Sequence, residues 1–356
     1  MDLNDTQELA EYRATVRAWL EEHAAEAPDA RGDDDAAVAA RRAWQRRLAE
    51  GGLAAVTWPA EYGGAGLGPL QQVVVNQEIG RAGVPGIFDI IGVGMLGPTL
   101  IAHGSEDQKQ RLLGPMLTAD EVWCQLFSEP AAGSDLAGIQ TRAKQQPDGS
   151  WRISGQKVWT TNAQHAAFGL MLARTNPDVP KHKGLTMFVV PMDAEGIGVR
   201  PLRQISGEAH FNEVFLDDVL LEPGSEVGAV DNGWAVGLTT LMFERVTIGL
   251  GAGDLAALEA RQHPVAREPQ GEELGRDLAE AVAGLEVARA RVVGEQRARE
   301  PVGAVDNGWA VGLTTLMFER VTIGLGGEGF GWRADRFASA PSAPGIWPRW
   351  RLVSIR

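Results

Sequence analysis

Cys124-Gln-Leu-Phe-Ser-Glu-Pro-Ala-Ala-Gly-Ser-Asp-Leu-Ala-Gly138 is the stretch on which the reading of this chain turns. Residues 122–127 form an apolar run of the kind that makes a buried strand. Ser128, Glu129 and Pro130 end the run, and a small-residue loop, Ala131-Ala132-Gly133-Ser134, leads into Asp135. With nothing bulky to shield it, such a loop brings backbone N–H groups and a hydroxyl close to a ligand. The same residues also describe an ordinary strand-to-loop turn, so the flanking sequence has to decide.

Downstream, short segments rich in β-branched and apolar residues recur at 139–144, 151–153, 158–160, 169–174, 185–191, 199–202 and 211–216. Turn formers separate them, among them Pro147-Asp148-Gly149 and Asn176-Pro177-Asp178. They predict a β-barrel-like domain over residues 121–228. Upstream, residues 1–120 read as a helical domain. Asp5 and Glu8 have capping-box spacing, and Leu9, Tyr12, Val16, Trp19 and Leu20 then share one helix face. A second helix over 36–50 stops at Gly51-Gly52, and Pro69 opens a third. The stretch 87–103 is apolar nearly all round and predicts a buried helix. Ser105 and Gln108 form another capping box, opening a short helix through Leu113. After Asn232-Gly233 the helical pattern returns over 234–261 and 272–299. The expected fold class is α+β and multidomain, with an incomplete C-terminal helical bundle over 229–300.

Residues 227–251 recur letter for letter as 302–326. Ancient repeats keep only spacing and key residues, so an identical run indicates a recent duplication or an error in assembling the gene sequence. Shifted by one nucleotide, the codons for residues 326–331 permit Gly-Ala-x-Asp-Leu-Ala, close to the continuation of the first copy at 251–256. A frameshifted second copy is therefore expected over 301–356, to be checked in the coding DNA.

Composition narrows the classes of function. The 356 residues carry a net charge of −14, the wrong sign for binding a phosphate backbone, so no nucleic-acid partner is expected. A lone Cys124 excludes an intrachain disulfide and a cysteine-rich metal site. Six histidines without a short-spaced pair give no support for zinc. No uninterrupted apolar run is long enough to span a membrane. The acidic N-terminus lacks the pattern of a secretory signal, so a cytoplasmic protein is expected.

A second informative stretch is Gly155-Gln-Lys-Val-Trp-Thr-Thr-Asn-Ala163. Trp159 can stack on a flat ring while a neighbouring threonine hydroxyl bonds a ring nitrogen; a core tryptophan followed by surface threonines reads the same way. Further motifs settle the ancestry. Trp58-Pro-Ala-Glu-Tyr-Gly-Gly64 precedes Phe127 to Asp135, and Gly155 to Thr161 precedes Phe211-Asn-Glu-Val-Phe-Leu-Asp-Asp-Val219. Asn232-Gly233-Trp234 then leads to Glu244-Arg245. In this order and spacing, within a helix–β–helix chain, they closely resemble the acyl-CoA dehydrogenase family over residues 1–300.

The resemblance implies FAD, an acyl-CoA substrate, and α,β-desaturation to a trans-2-enoyl-CoA with electrons passed to an electron-transfer flavoprotein. By position, Phe127, Ser128, Gly133 and Ser134 look like the flavin-binding loop, with Ser134 also near the CoA chain. Trp159, Thr160 and Thr161 look like the segment covering the isoalloxazine, with Thr161 toward N5. Glu244 stands where isovaleryl-CoA-type members carry the catalytic base, and Arg245 matches an arginine near the CoA moiety. A helix-surface Glu-Arg pair is the plain alternative, and Glu319 is the duplicate of Glu244. Homo- or hetero-oligomers are expected. Arg261-Gln-His-Pro-Val265 departs from the family's Arg-Gln-x-Phe-Gly, and the glycine-rich and Glu-Gly-Thr motifs are missing. Two other readings therefore stay open: a structural partner subunit, and a flavin monooxygenase or oxidase on the same scaffold.

Overall fold

The computed structural model describes residues 5–29, 34–205, 209–245 and 247. The predicted helices beyond residue 250, the duplicated segment and Glu319 lie outside the described residues.

Helix ends follow local chemistry. Helix α1 (Gln7–His23) is capped by Thr6, whose hydroxyl accepts from Leu9 N. The capping box expected at Asp5 and Glu8 does not form, because Thr6 sits in the register that reaches an unpaired first-turn N–H. Asp5 instead grips Arg13 at 2.6 and 3.0 Å. Asp34 caps α2 (Asp35–Glu50), and Pro69 occupies the first turn of α3 (Pro69–Ala82). Buried Glu78 on α3 collects Arg13, Arg17 and Arg81, clamping α1 to α3. The apolar stretch expected as one helix is interrupted by a π-helical turn, Gly92–Leu96, before α4 (Gly97–His103). The Ser105–Gln108 capping box opens α5 (Glu106–Leu117), which passes Leu113 because Met116 and Leu117 continue its buried face. Trp58 explains its glycine-rich surroundings: its indole donates to Val93 O at 3.1 Å, and a Cβ on Gly97 would lie 2.0 Å from its ring.

The sheet holds β1 (Trp123–Leu126), β2 (Arg142–Gln145), β3 (Trp151–Thr161), β4 (Phe168–Arg174), β5 (Leu185–Pro191), β6 (Ile197–Leu202), β7 (Phe211–Leu221) and β8 (Glu226–Val227). Its order is β6-β7-β3-β2-β4-β5-β8, with β1 parallel to β4 at the side. The barrel-like domain expected from the strand pattern is thus a mixed, open sheet: among the described residues no ladder joins β6 to β8. Alternation predicts a two-faced sheet, but whether its edges meet depends on accumulated twist, which no local pattern encodes. The segments expected at 151–153 and 158–160 are one strand, β3, carried past its irregular middle by two register shifts against β7.

The two faces of the sheet bury different cores. Trp123 and Phe127 pack with Trp44, Trp58, Leu96, Leu100 and Val236 on the helical side. Cys124 and Leu126 pack with Trp151, Met171, Phe188 and Val214 on the other. The period of two along β1 makes this division. Helix α6 (residues 233–245) returns to the helical side, where Val236 enters the core.

A buried polar relay ties the helices to β1. Gln45 donates to Met116 O at 3.1 Å and Leu117 O at 3.0 Å and accepts from Asp89 N at 2.7 Å. The Asp89 carboxylate accepts from Gly92 N at 2.9 Å and Trp123 N at 3.0 Å. Burial pushes the Asp89 carboxyl up to about 7 despite those two donors. A group raised in the folded state favours folding most when protonated, so its contribution is full below the ordinary carboxylate value of ~4. That contribution falls as pH rises and levels off above about 7. Asp89→Asn removes this titration. Urea denaturation across pH 4–8 should show the stability of the wild type relative to the variant declining up to about pH 7 and then flattening. A pH-independent difference would mean that the fold does not perturb this carboxyl.

Candidate active site

The end of β1 and the middle of β3 lie against each other. Val158 N donates to Ser128 O at 2.9 Å, so the loop after β1 is stitched to the segment containing Trp159. The loop itself is a closed turn: Glu129 N donates to Ala132 O at 2.8 Å and Ala132 N to Glu129 O at 3.1 Å. Phe127 is buried, Ser128 and Gly133 are half-buried, and Ser134 is exposed. A Cβ on Gly133 would meet no atom within 4 Å, so the space beside it is open. Next to Ser134, the Asp135 carboxylate binds Lys181 at 2.6 and 2.7 Å.

On β3 the register passes from Lys157 opposite Val214 to Thr160 opposite Asn212, so the intervening Val158 and Trp159 form a bulge. Trp159 takes a φ of 59°, unusual for a bulky residue. The bulge turns its indole outward, leaving it 52% exposed and edge-on to Phe211 at 6.0 Å. A core tryptophan, the plain alternative in the sequence, is therefore not what this position holds. Thr160 is buried, and its hydroxyl has no hydrogen-bond partner among the described residues. Thr161 is half-buried. Asn212 braces the segment, its amide donating to Thr160 O at 3.0 Å and Gln164 Oε1 at 2.6 Å.

The third part of the site comes from α6. The helix starts where Asn232 bridges to Leu185. There Gly233 lies so close to Thr186 that an added Cβ would sit 2.6 Å from its backbone, which accounts for the glycine of Asn-Gly-Trp. Thr240 receives the Thr99 hydroxyl at 3.0 Å, and Thr239 meets His103 Nε2 at 2.8 Å. Thr247 donates to Gly94 O in the π-turn at 3.1 Å. Held in this way, α6 presents Glu244 only 4% exposed, its carboxylate accepting from Gln125 Nε2 at 3.3 Å. Gln125 is on β1, and by alternation it shares the face of Phe127. Arg245 is exposed.

The structure thus joins Phe127, Ser128, Trp159, Thr160 and Thr161 into adjacent segments, and links Glu244 to the same strand through Gln125. Sequence reasoning missed Gln125, Asn212 and the buried Lys157; the one signal for Gln125 is that it is the polar residue inside an apolar run. The donor set suits a planar redox cofactor. An outward-turned indole offers a stacking face, an unsatisfied buried hydroxyl awaits a partner, and the loop beside Gly133 is open. Among the described residues no cluster of acidic, histidine or cysteine side chains could hold a metal, and no helix is long and apolar enough to cross a membrane.

These features suit a flat, ring-bearing cofactor, and comparison with known proteins gives the family. The acyl-CoA dehydrogenase N-terminal domain model matches residues 6–120 and the middle domain model residues 124–219. Acyl-CoA dehydrogenase FadE29 of Mycobacterium tuberculosis is 34% identical over 273 residues, 76% of this chain and 69% of its own length. Acyl-CoA dehydrogenase IpdE1 of the same organism is 42% identical over 251 residues, 69% of this chain; the chain spans 65% of that relative's length. Among solved structures, the Tcur3481-Tcur3483 steroid acyl-CoA dehydrogenase superposes with a TM-score of 0.64 at 27% identity, over 92% of this chain and 95% of that one. The chain belongs to the acyl-CoA dehydrogenase family, whose members are FAD-dependent oxidoreductases of lipid catabolism.

Thr160→Val tests the unsatisfied hydroxyl. Removing it relieves a buried polar group, so the apoprotein should melt at the same temperature or higher, by a stabilisation of about 1 kcal/mol. FAD affinity, read by flavin fluorescence titration, should fall several-fold. Unchanged affinity would place the hydroxyl away from the cofactor.

Proposed function

We propose that the chain is an acyl-CoA dehydrogenase subunit that desaturates an acyl-CoA thioester to the trans-2-enoyl-CoA. The observation that carries this reading is Glu244, buried on α6 and hydrogen-bonded to the strand that runs into Phe127 and Ser128. Desaturation needs a base for the α-proton and an acceptor for the β-hydride, held on either side of one carbon–carbon bond. FAD, when bound, supplies the acceptor at N5. Glu244 takes the proton, and Gln125 fixes its carboxylate so that an oxygen is presented rather than free to rotate. Phe127 and Ser128 on one side and Trp159 to Thr161 on the other hold the ring and exclude water, with Gly133 leaving the backbone approachable. Ser134 lies toward the CoA chain, and exposed Arg245 suits the phosphates of CoA.

The likeness to a steroid acyl-CoA dehydrogenase supports a bulky, ring-bearing acyl group as substrate. The paired names of that protein and of the ChsE4-ChsE5 complex support assembly with a second, related chain. The same observation favours a second reading, in which this chain is the structural partner and the other carries the chemistry. An electron-transfer flavoprotein is the proposed acceptor. A base at Glu244 favours desaturation over oxygenation, which needs no α-proton acceptor there.

Purified protein should be yellow and should bleach anaerobically with an acyl-CoA, faster with a steroid-derived thioester than with a straight chain. Glu244→Gln should keep the colour and slow bleaching by roughly 10²–10⁴-fold, the usual contribution of a general base. Bleaching of the variant at the wild-type rate would remove Glu244 from the mechanism. A colourless wild-type chain would assign it the structural role.

A further inference from the structure

We propose that the buried Glu129–Lys157 pair is the positioning device that sets the separation and angle of the two flavin walls, Phe127–Ser128 and Trp159–Thr161; the inference rests on the flavin reading above. Lys157 is fully buried, and its ammonium donates to Glu129 Oε1 at 2.8 Å, Leu172 O at 2.8 Å and Phe127 O at 3.2 Å. All the protons of an ammonium group are thereby used. One bond goes to the end of β1, one to β4, and one to the loop between β1 and β2. The Glu129 carboxylate is equally occupied: it also accepts from Thr141 N at 3.0 Å and Gln140 N at 2.6 Å.

The position of this pair is what gives it a role beyond cohesion. Lys157 is the last residue of β3 in register with β7 before the bulge, opposite Val214. Whatever fixes Lys157 fixes the phase of the bulge, and with it the direction of the outward-turned Trp159. The same ammonium holds the carbonyl of Phe127, immediately before Ser128, whose own carbonyl accepts from Val158 N. Glu129 secures the far side of that loop through the entry to β2. One wall thus contains an atom bound to the pair, the carbonyl oxygen of Phe127, and the other begins two residues after Lys157. A buried ion pair is a poor way to gain stability, since apolar residues of like volume often serve as well. Its advantage is directional: Lys157 specifies three acceptors from three segments at once, which an apolar side chain cannot do.

The test separates positioning from cohesion in the full-length chain. Three readouts are taken on wild type and on the charge-free double variant Glu129→Gln/Lys157→Met: apoprotein melting temperature, FAD dissociation constant by fluorescence titration, and the visible circular dichroism of bound flavin. The double variant should melt near the wild-type temperature yet bind FAD at least 10-fold more weakly, with an altered flavin dichroism band. Wild-type affinity and dichroism in a folded double variant would overturn the proposal. So would weaker binding that merely tracks a lower melting temperature while the dichroism of bound flavin stays unchanged. If the double variant does not fold, Glu129→Gln alone is judged by the same three readouts. A wild-type chain that binds no FAD overturns the flavin reading and this inference with it, whereas wild-type binding with an unaffected variant overturns this inference alone.

Discussion

Two opposite charges, fully buried Lys157 and nearly buried Glu129, lie where β1, β3 and β4 converge. Neither could stay ionised there alone, because desolvation penalises a buried charge unless it is paired and hydrogen-bonded. Mutual pairing and a full set of backbone partners meet that requirement, at the cost of fixing the surrounding backbone. The closed turn after β1, the bulge in β3 and the outward pose of Trp159 are arranged around the pair. The surface proposed for the flavin is the outside of this arrangement.

The second constraint is the division of β1 into two faces. Cys124 and Leu126 enter the core of the sheet's far side, while Trp123, Gln125 and Phe127 face the helices. A one-residue slip would send Gln125 away from Glu244 and Phe127 away from the helical core. Asp89 opposes such a slip by accepting from the first N–H of β1. A polar relay through Gln45 and Asp89 therefore helps decide whether the proposed base finds its partner.

Glycines set how closely the pieces approach. Gly233 lets the start of α6 lie against β5, and Gly97 gives the Trp58 ring its place below the π-turn. In the sequence these residues look like loop punctuation beside conspicuous tryptophans. In the fold they are contact points, and the Trp58 motif serves the core rather than the site.

Helix ends were legible because caps are settled within a few residues: Ser105 with Gln108, Pro69 and Gly51 stand as their chemistry demands. Asp5 misled because two capping residues stand side by side and only the helix register chooses between them. The ordered motifs determined family membership, and with it the flavin and the choice of Glu244 as the base to test. Tertiary structure alone decided that the sheet is open, that two predicted strands are one bulged strand, and that Thr160 holds a buried hydroxyl with no partner among the described residues. It alone brought Gln125 to Glu244 and Lys157 to Phe127 and Leu172. Caps, turns and periodicity are written in neighbouring residues, whereas the partner of a buried charge is set by strand register and helix docking across distant parts of the chain.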